Sequence, residues 1–205
     1  AAILRSACAH ARIVRIDTEP ASKAPGVIGV LTAADMQNVR PIPMRTGRVP
    51  GLERSQQTPI AKDKVRYVGD PVAVVVAEDR YLAEDALELI EVEYEPLGVV
   101  TDPREAMQPG APRLHGTVSE NIAANFQVNV GNVDAAMAEA ELVLEEEFSV
   151  QRHGAVPLET RGLVAEFDEG RGVLTVWGPT KMTHTNWQIL SELLNLPQSS
   201  IHFIE

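Results

Sequence analysis

The feature that most constrains this chain is the run from Gly69 to Leu97. Val72 to Val76 is a short apolar, β-branched stretch that follows the turn-forming Gly69-Asp70-Pro71, which predicts a buried strand. Asp79 then offers a side-chain oxygen to the first free amides of a helix. Leu82, Ala83, Ala86, Leu87 and Ile90 recur at helical spacing and define one apolar stripe, with Glu84, Asp85 and Glu88 on the opposite side. Val92 and Tyr94 alternate with Glu91, Glu93 and Glu95, so a half-exposed strand follows, stopped by Pro96. This strand–helix–strand unit of about thirty residues is long enough for a crossover connection.

The flanks extend the pattern. Ile3-Leu4, then Ile13, Val14 and Ile16, then Val27 to Leu31 read as strands, with a tight corner over residues 5–12 and a capped turn after Thr32. Residues 37–60 are rich in proline and arginine (Arg40, Arg48, Pro50) and read as a long loop. Pro103 to Met107 reads as a short helical turn. Gln108-Pro109-Gly110-Ala111-Pro112 breaks regular structure and marks a linker over 111–124. Beyond it, Asn125 to Val130 and Leu142 to Val150 read as strands around a short alanine-rich helix opened by Asn132 or Asp134. Leu163 to Phe167 and Val173 to Trp177 form a hairpin. A helix over Thr183 to Leu194 is stopped by Pro197, and a last strand covers Ile201 to Ile204. The expectation is an α+β protein in two parts, 1–110 and 125–205.

Composition narrows the function. A formal charge of −11 argues against a nucleic-acid partner, which needs clustered Lys and Arg. No apolar run approaches the roughly 18 residues of a membrane span. The single cysteine, Cys8, excludes an internal disulfide and any cysteine-built zinc or iron–sulfur site, and suits a cytoplasmic setting. Acidic residues gather at 78–95 and 139–147, as solvated faces or as a docking face for a basic partner. The chain opens and closes on strand-like residues, as expected of a piece of something longer.

Strong standalone motifs are absent: there is no phosphate-binding glycine loop and no paired histidines at helical spacing. The densest polar cluster is Gln151 to Arg161. There, His153 and Glu159 could form an acid–base pair and Arg152 or Arg161 an anion clamp. The alternative is that Glu159 and Arg161 satisfy backbone amides and each other within a buried loop. Gly178-Pro179-Thr180-Lys181 lies between a strand and a helix, where free amides and a positive dipole gather; it reads either as an anion or cofactor contact or as an ordinary strand–helix turn with Lys181 in solvent. Cys8 reads as a small buried apolar residue, and Trp177 and Trp187 as core.

The run Arg66-Tyr67-Val68-Gly69-Asp70-Pro71-Val72-Ala73-Val74-Val75-Val76-Ala77-Glu78-Asp79 resembles the α/β hammerhead domain of the xanthine dehydrogenase/aldehyde oxidase/carbon monoxide dehydrogenase family, the molybdenum hydroxylases. Leu4-Arg5-Ser6 with Ala9 to Ile13, Val133 to Ala136 with Phe148, and Pro157 to Gly162 with Leu174 to Lys181 are similar to further family segments in the same order. The resemblance implies a hammerhead domain followed by the first part of a molybdopterin-binding domain, within a large subunit that hydroxylates a carbon centre (aldehyde, purine or other N-heterocycle, or CO). It implies a molybdenum–molybdopterin cofactor in the complete enzyme and none bound by these residues alone. The implied partners are the remainder of the large subunit and iron–sulfur and FAD subunits or domains, in a homo- or hetero-oligomer.

In the family a glutamine near the cofactor follows the tryptophan-containing strand, and the matching position here is Lys181, a cationic donor where an amide both donates and accepts. Thr180 and Lys181 are the cofactor-contact candidates; no residue is assigned as catalytic or as a metal ligand. Two rival expectations are a non-catalytic docking module using its acidic faces, and a small-ligand-binding protein using the 151–161 loop with Lys181.

Overall fold

The structure is a computed structural model describing residues 1–44, 49–118, 120–151 and 153–205. Arg48 of the 37–60 loop and Arg152 of the proposed anion clamp lie outside the described residues.

Strand β1 (Ala2–Arg5) and strand β2 (Ala11–Asp17) are followed by helix α1 (Glu19–Ser22) and strand β3 (Val27–Thr32). After the long loop come β4 (Lys64–Val65), β5 (Pro71–Ala77), helix α2 (Arg80–Leu87) and β6 (Glu91–Pro96). Strand β5 is hydrogen-bonded on both edges, to β1 and to β3, antiparallel in each case. A second sheet has the order β4-β2-β6, also antiparallel. The strand–helix–strand reading is therefore right in its elements and wrong in its connection. β5 and β6 lie in different sheets, so α2 joins two sheets and is not a crossover within one. Both edges of β5 are occupied by earlier strands, which leaves β6 to pair with β2.

Alternation along β5 explains how one strand serves two cores. Ala73 and Val75 face α2, clustering with Ala83 and Ala86 on the helix and with Ile90 just beyond it. Val72 points the other way, onto Ala11, Ala61 and Val65. Ile16 and Val92 pack against both clusters and tie the sheets together. The small side chains of Ala83 and Ala86 let α2 lie close on β5. Asp79 caps α2 as expected, its Oδ1 accepting from the Leu82 amide at 2.9 Å.

The segment expected as a linker is irregular, yet it is pinned to the first part. Lys64 Nζ donates to Arg113 O at 3.1 Å and Arg66 Nε to Leu114 O at 3.0 Å. Asn121 Nδ2 donates to Ala106 O and to Pro112 O, and its Oδ1 accepts from the Leu114 amide. Gly98 lies so close to Pro112 that a Cβ there would meet the proline ring at 2.6 Å. Just before this segment, helix α3 (Pro103–Ala106) is the short helical turn expected there, capped by Asp102.

Beyond the linker, helix α4 (Val133–Glu139) forms with Asn132 as its cap, 3.1 Å from the Ala135 amide. The strands expected at 125–130 and 142–150 do not form. Alternation predicts which face of a strand is apolar, and it supplies no partner; neither segment pairs with another among the described residues. Strands β7 (Val164–Asp168) and β8 (Val173–Trp177) form the expected antiparallel hairpin. Helix α5 (Thr183–Leu194) then leads to β9 (Ile201–Ile204), which pairs with β8 in parallel. The crossover unit is therefore β8–α5–β9.

Val75 is fully buried between α2 and the sheet. Val75→Ala is expected to destabilise the chain by about 2 kcal/mol, through lost transfer energy and the residual cavity. The exposed Val14→Ala on β2 is expected to change stability by less than about 0.5 kcal/mol. The midpoints of urea unfolding compare the two.

Candidate functional site

The crossover fixes where chemistry can sit in the second part. In open parallel sheets, ligands bind outside the carboxyl ends of the strands, where helix N-termini converge. Here that place is the turn from Gly178 to Met182, between β8 and α5.

Gly178 sets the geometry of the turn. Its φ is 152°, and a Cβ would meet Gly162 O at 2.7 Å and Leu163 Cδ2 at 2.5 Å. Its amide donates to Ile204 O at 3.0 Å, which closes the β8–β9 ladder. Thr180 is buried, at 8% exposure, and its Oγ1 accepts from the Asn186 side chain one turn into α5. Lys181 is exposed beside this anchored threonine. Helix α5 starts without a side-chain cap on its first amides. The turn thus carries one cation and the positive end of a helix, both hydrogen-bond donors suited to an anion or to acceptor oxygens.

The rest of α5 is held firmly. Trp187 Nε1 donates to Gln198 O at 3.1 Å and to Ile201 O at 2.9 Å, and Ser191 Oγ donates to Leu196 O at 2.6 Å. Trp177 and Trp187 are half-buried. Thr183 Oγ1 reaches Glu205 Oε2 at 3.2 Å, joining the first turn of α5 to the residue that follows β9.

The 151–161 cluster is not assembled. His153 and Glu159 are exposed with no hydrogen bond or ion pair between them among the described residues; His153 Nδ1 lies 3.3 Å from Gln151 O. Glu159 and Arg161 are exposed too, so the buried, mutually satisfied loop is also absent. Sequence proximity brought polar residues together, but no element folds them against one another. Among the described residues no group of three or more His, Cys, Asp or Glu is placed to hold a metal ion. Cys8 is half-buried and packs beside Ala11 and Val72.

Sequence reasoning missed the roles of Asn186 and of Gly178. It also missed a polar network in the first part. Asp70 is buried and accepts from the Arg66 amide at 3.0 Å. Burial pushes its carboxyl up, partly offset by Arg66. Arg66 Nη2 pairs with Asp63 at 3.2 Å. His115, on the pinned segment, is held below its ordinary value by burial first, then by the cations of Arg66 and Lys64. The Gly69-Asp70-Pro71 turn signal and the Asp63–Arg66 spacing were the available clues.

With this geometry in hand, comparison with known proteins places the chain. Residues 1–98 match the aldehyde oxidase and xanthine dehydrogenase a/b hammerhead domain, and residues 114–205 match the molybdopterin cofactor-binding domain. The chain belongs to this molybdenum hydroxylase family. It is 39% identical to the carbon monoxide dehydrogenase large chain of Afipia carboxidovorans, over 98% of this chain and 26% of that one. It is likewise 39% identical to the 6-hydroxypseudooxynicotine dehydrogenase complex subunit gamma of Paenarthrobacter nicotinovorans, over 97% of this chain and 25% of that one. Quinoline 2-oxidoreductase from Pseudomonas putida 86 superposes with a TM-score of 0.86 at 35% identity, over 98% of this chain and 26% of that chain. The chain thus spans about a quarter of the length of these relatives. The matches do not favour the docking-module expectation.

Two measurements probe these arrangements. Gly178→Ala is expected to destabilise the β8–α5–β9 unit, read as loss of amide protection in β8 and β9, because the Gly162 carbonyl must move. The His115 value, lowered below 6.5, means that the unfolded chain binds its proton more tightly. Stability from this group is therefore complete above pH 6.5 and is lost as pH falls through the folded-state value. Denaturation followed from pH 7.5 to 5 is expected to show that loss, and His115→Gln is expected to flatten it.

Proposed function

We propose that residues 1–205 supply the hammerhead domain (1–110), a linker (111–124) and the first part of the cofactor-binding domain (125–205) of a molybdenum hydroxylase large subunit. In this reading Lys181 and Thr180 form the chain's contact with a molybdenum–molybdopterin cofactor. One observation carries it: a cation and the start of a helix meet at the carboxyl end of a parallel strand, inside the stretch that matches the molybdopterin cofactor-binding domain.

The residues present fit such a group on one side only. The turn offers donors and no metal-ligating cluster among the described residues, so it suits the cofactor's phosphate or oxo oxygens and not the metal itself. Lys181 supplies positive charge to such an oxygen. Thr180, bonded to Asn186, holds the backbone on which Lys181 stands, and Gly178 lets that backbone approach β7. When bound, the molybdenum centre supplies two-electron oxidation and a water-derived oxygen for hydroxylating an aldehyde, a purine or other N-heterocycle, or CO. Groups that act on the substrate, and the iron–sulfur and flavin carriers that accept electrons, lie on other polypeptide or other domains.

Lys181→Glu in the complete enzyme is expected to lower molybdenum and pterin content about tenfold, and Lys181→Arg to retain most of it. Metal analysis and pterin fluorescence of the purified protein read this directly. Unchanged occupancy and turnover in Lys181→Glu would place the lysine outside the site.

A further inference from the structure

Residues 111–118 lie on the first part as a strap, crossing from the gap between the two matched stretches, 1–98 and 114–205, into the second. The strap supplies acceptors and the surface beneath it supplies donors. Lys64 Nζ reaches Arg113 O and Arg66 Nε reaches Leu114 O. The other nitrogens of Arg66 are engaged too: Nη1 donates to Lys64 O at 3.0 Å and Nη2 pairs with Asp63. Val118 is buried, and Thr117 Oγ1 donates to Arg54 O. Pro112 lies against Gly98, whose carbonyl accepts from His10 Nδ1 at 2.6 Å.

His115 follows directly on the two carbonyls that Lys64 and Arg66 hold. Its ring is half-buried and makes no hydrogen bond among the described residues. The charges that act on it are the cations of Arg66 and Lys64 and the carboxylate of Asp63, whose side chain is 70% exposed and already paired with Arg66. Other charged groups on or beside the strap are partnered, Arg12 with Glu95, Arg54 with Glu53 and Arg104 with Glu147, or exposed, as are Lys62, Arg113 and Glu120. A proton on His115 therefore adds a third cation to a half-buried place whose nearby carboxylate is taken. Lys64 and Arg66 cannot turn away without giving up the strap's carbonyls, so lifting the strap is what relieves the repulsion. No strap residue belongs to either apolar cluster around β5, so the strap can lift while both cores stay closed.

We propose that residues 111–118 are an acid-released strap at the joint between the two domains, docked while His115 is neutral and let go when His115 takes up a proton. The sign follows from the docked state. Burial first, then the cations of Arg66 and Lys64, hold His115 below its ordinary value, against a smaller opposing pull from Asp63. The released strap thus binds the proton more tightly, and opening grows as pH falls.

Amide hydrogen exchange of the complete enzyme at pH 7.5 and 5.5, corrected for the intrinsic pH dependence of exchange, tests the release. The Leu114 amide, which donates to Asn121 Oδ1, and the Val118 amide, which donates to His115 O, report the strap; the amides of β5 report the first part. The strap amides are expected to open about tenfold more at pH 5.5, with β5 unchanged. His115→Gln is expected to keep the strap closed at both pH values, and His115→Lys to leave it open at both with β5 still protected. Equal protection of the strap at the two pH values overturns the proposal. So does a pH response that persists in His115→Gln, which passes the effect to His10 or another group. Opening of the strap and β5 together overturns it as well, because the event is then global unfolding. None of these readouts depends on the Lys181 contact.

Discussion

A strand is stable in water-excluding surroundings only when its backbone donors and acceptors are paired, and this condition divides the molecule. Strand β5 meets it fully: β1 and β3 take its two edges, and its faces serve two cores. Around that satisfied strand the first part assembles, with α2 on one side, the β4-β2-β6 sheet on the other, and the 111–121 segment strapped down by Lys64, Arg66 and Asn121. Residues 125–150 do not meet the condition on their own. On either side of α4, 125–130 and 142–150 carry apolar and polar residues interspersed in sequence and bond to no neighbouring strand among the described residues.

That contrast accounts for what the sequence disclosed. Periodicity reports the face that a segment buries, so β5, α2, β6, β7, β8, α5 and β9 were all legible from their apolar spacing. Partnership is a non-local property. It was therefore not legible that β6 would pair with β2, nor that 125–130 and 142–150 would find no strand within these residues. In the candidate site Lys181 was legible because strand-to-helix turns are where helix dipoles start. The supports behind it were not. Gly178 is required by the approach of the Gly162 carbonyl from the segment just before β7, and Asn186 reaches back to Thr180 across a helical turn. His153 and Glu159 show the converse, since closeness in sequence did not become contact in space.

Fold and family together explain why the chain concentrates its rigid features where it does. The β8–α5–β9 crossover places Lys181 at a helix start, next to the buried Thr180 that Asn186 holds. Acidic residues lie on the outer face of α2, on β6 and along 139–147, away from that turn in sequence. Glu205 is the carboxylate beside that turn, accepting from Thr183 Oγ1 in the first turn of α5.

The account stands on the claim that the Thr180–Lys181 turn faces a molybdenum cofactor. Anomalous diffraction at the molybdenum K edge, from crystals of the assembled enzyme, tests it most directly. The account predicts a molybdenum peak with cofactor density extending to within hydrogen-bond reach of the Lys181 side chain. A molybdenum peak whose cofactor density touches neither Lys181 nor the start of α5 would contradict it.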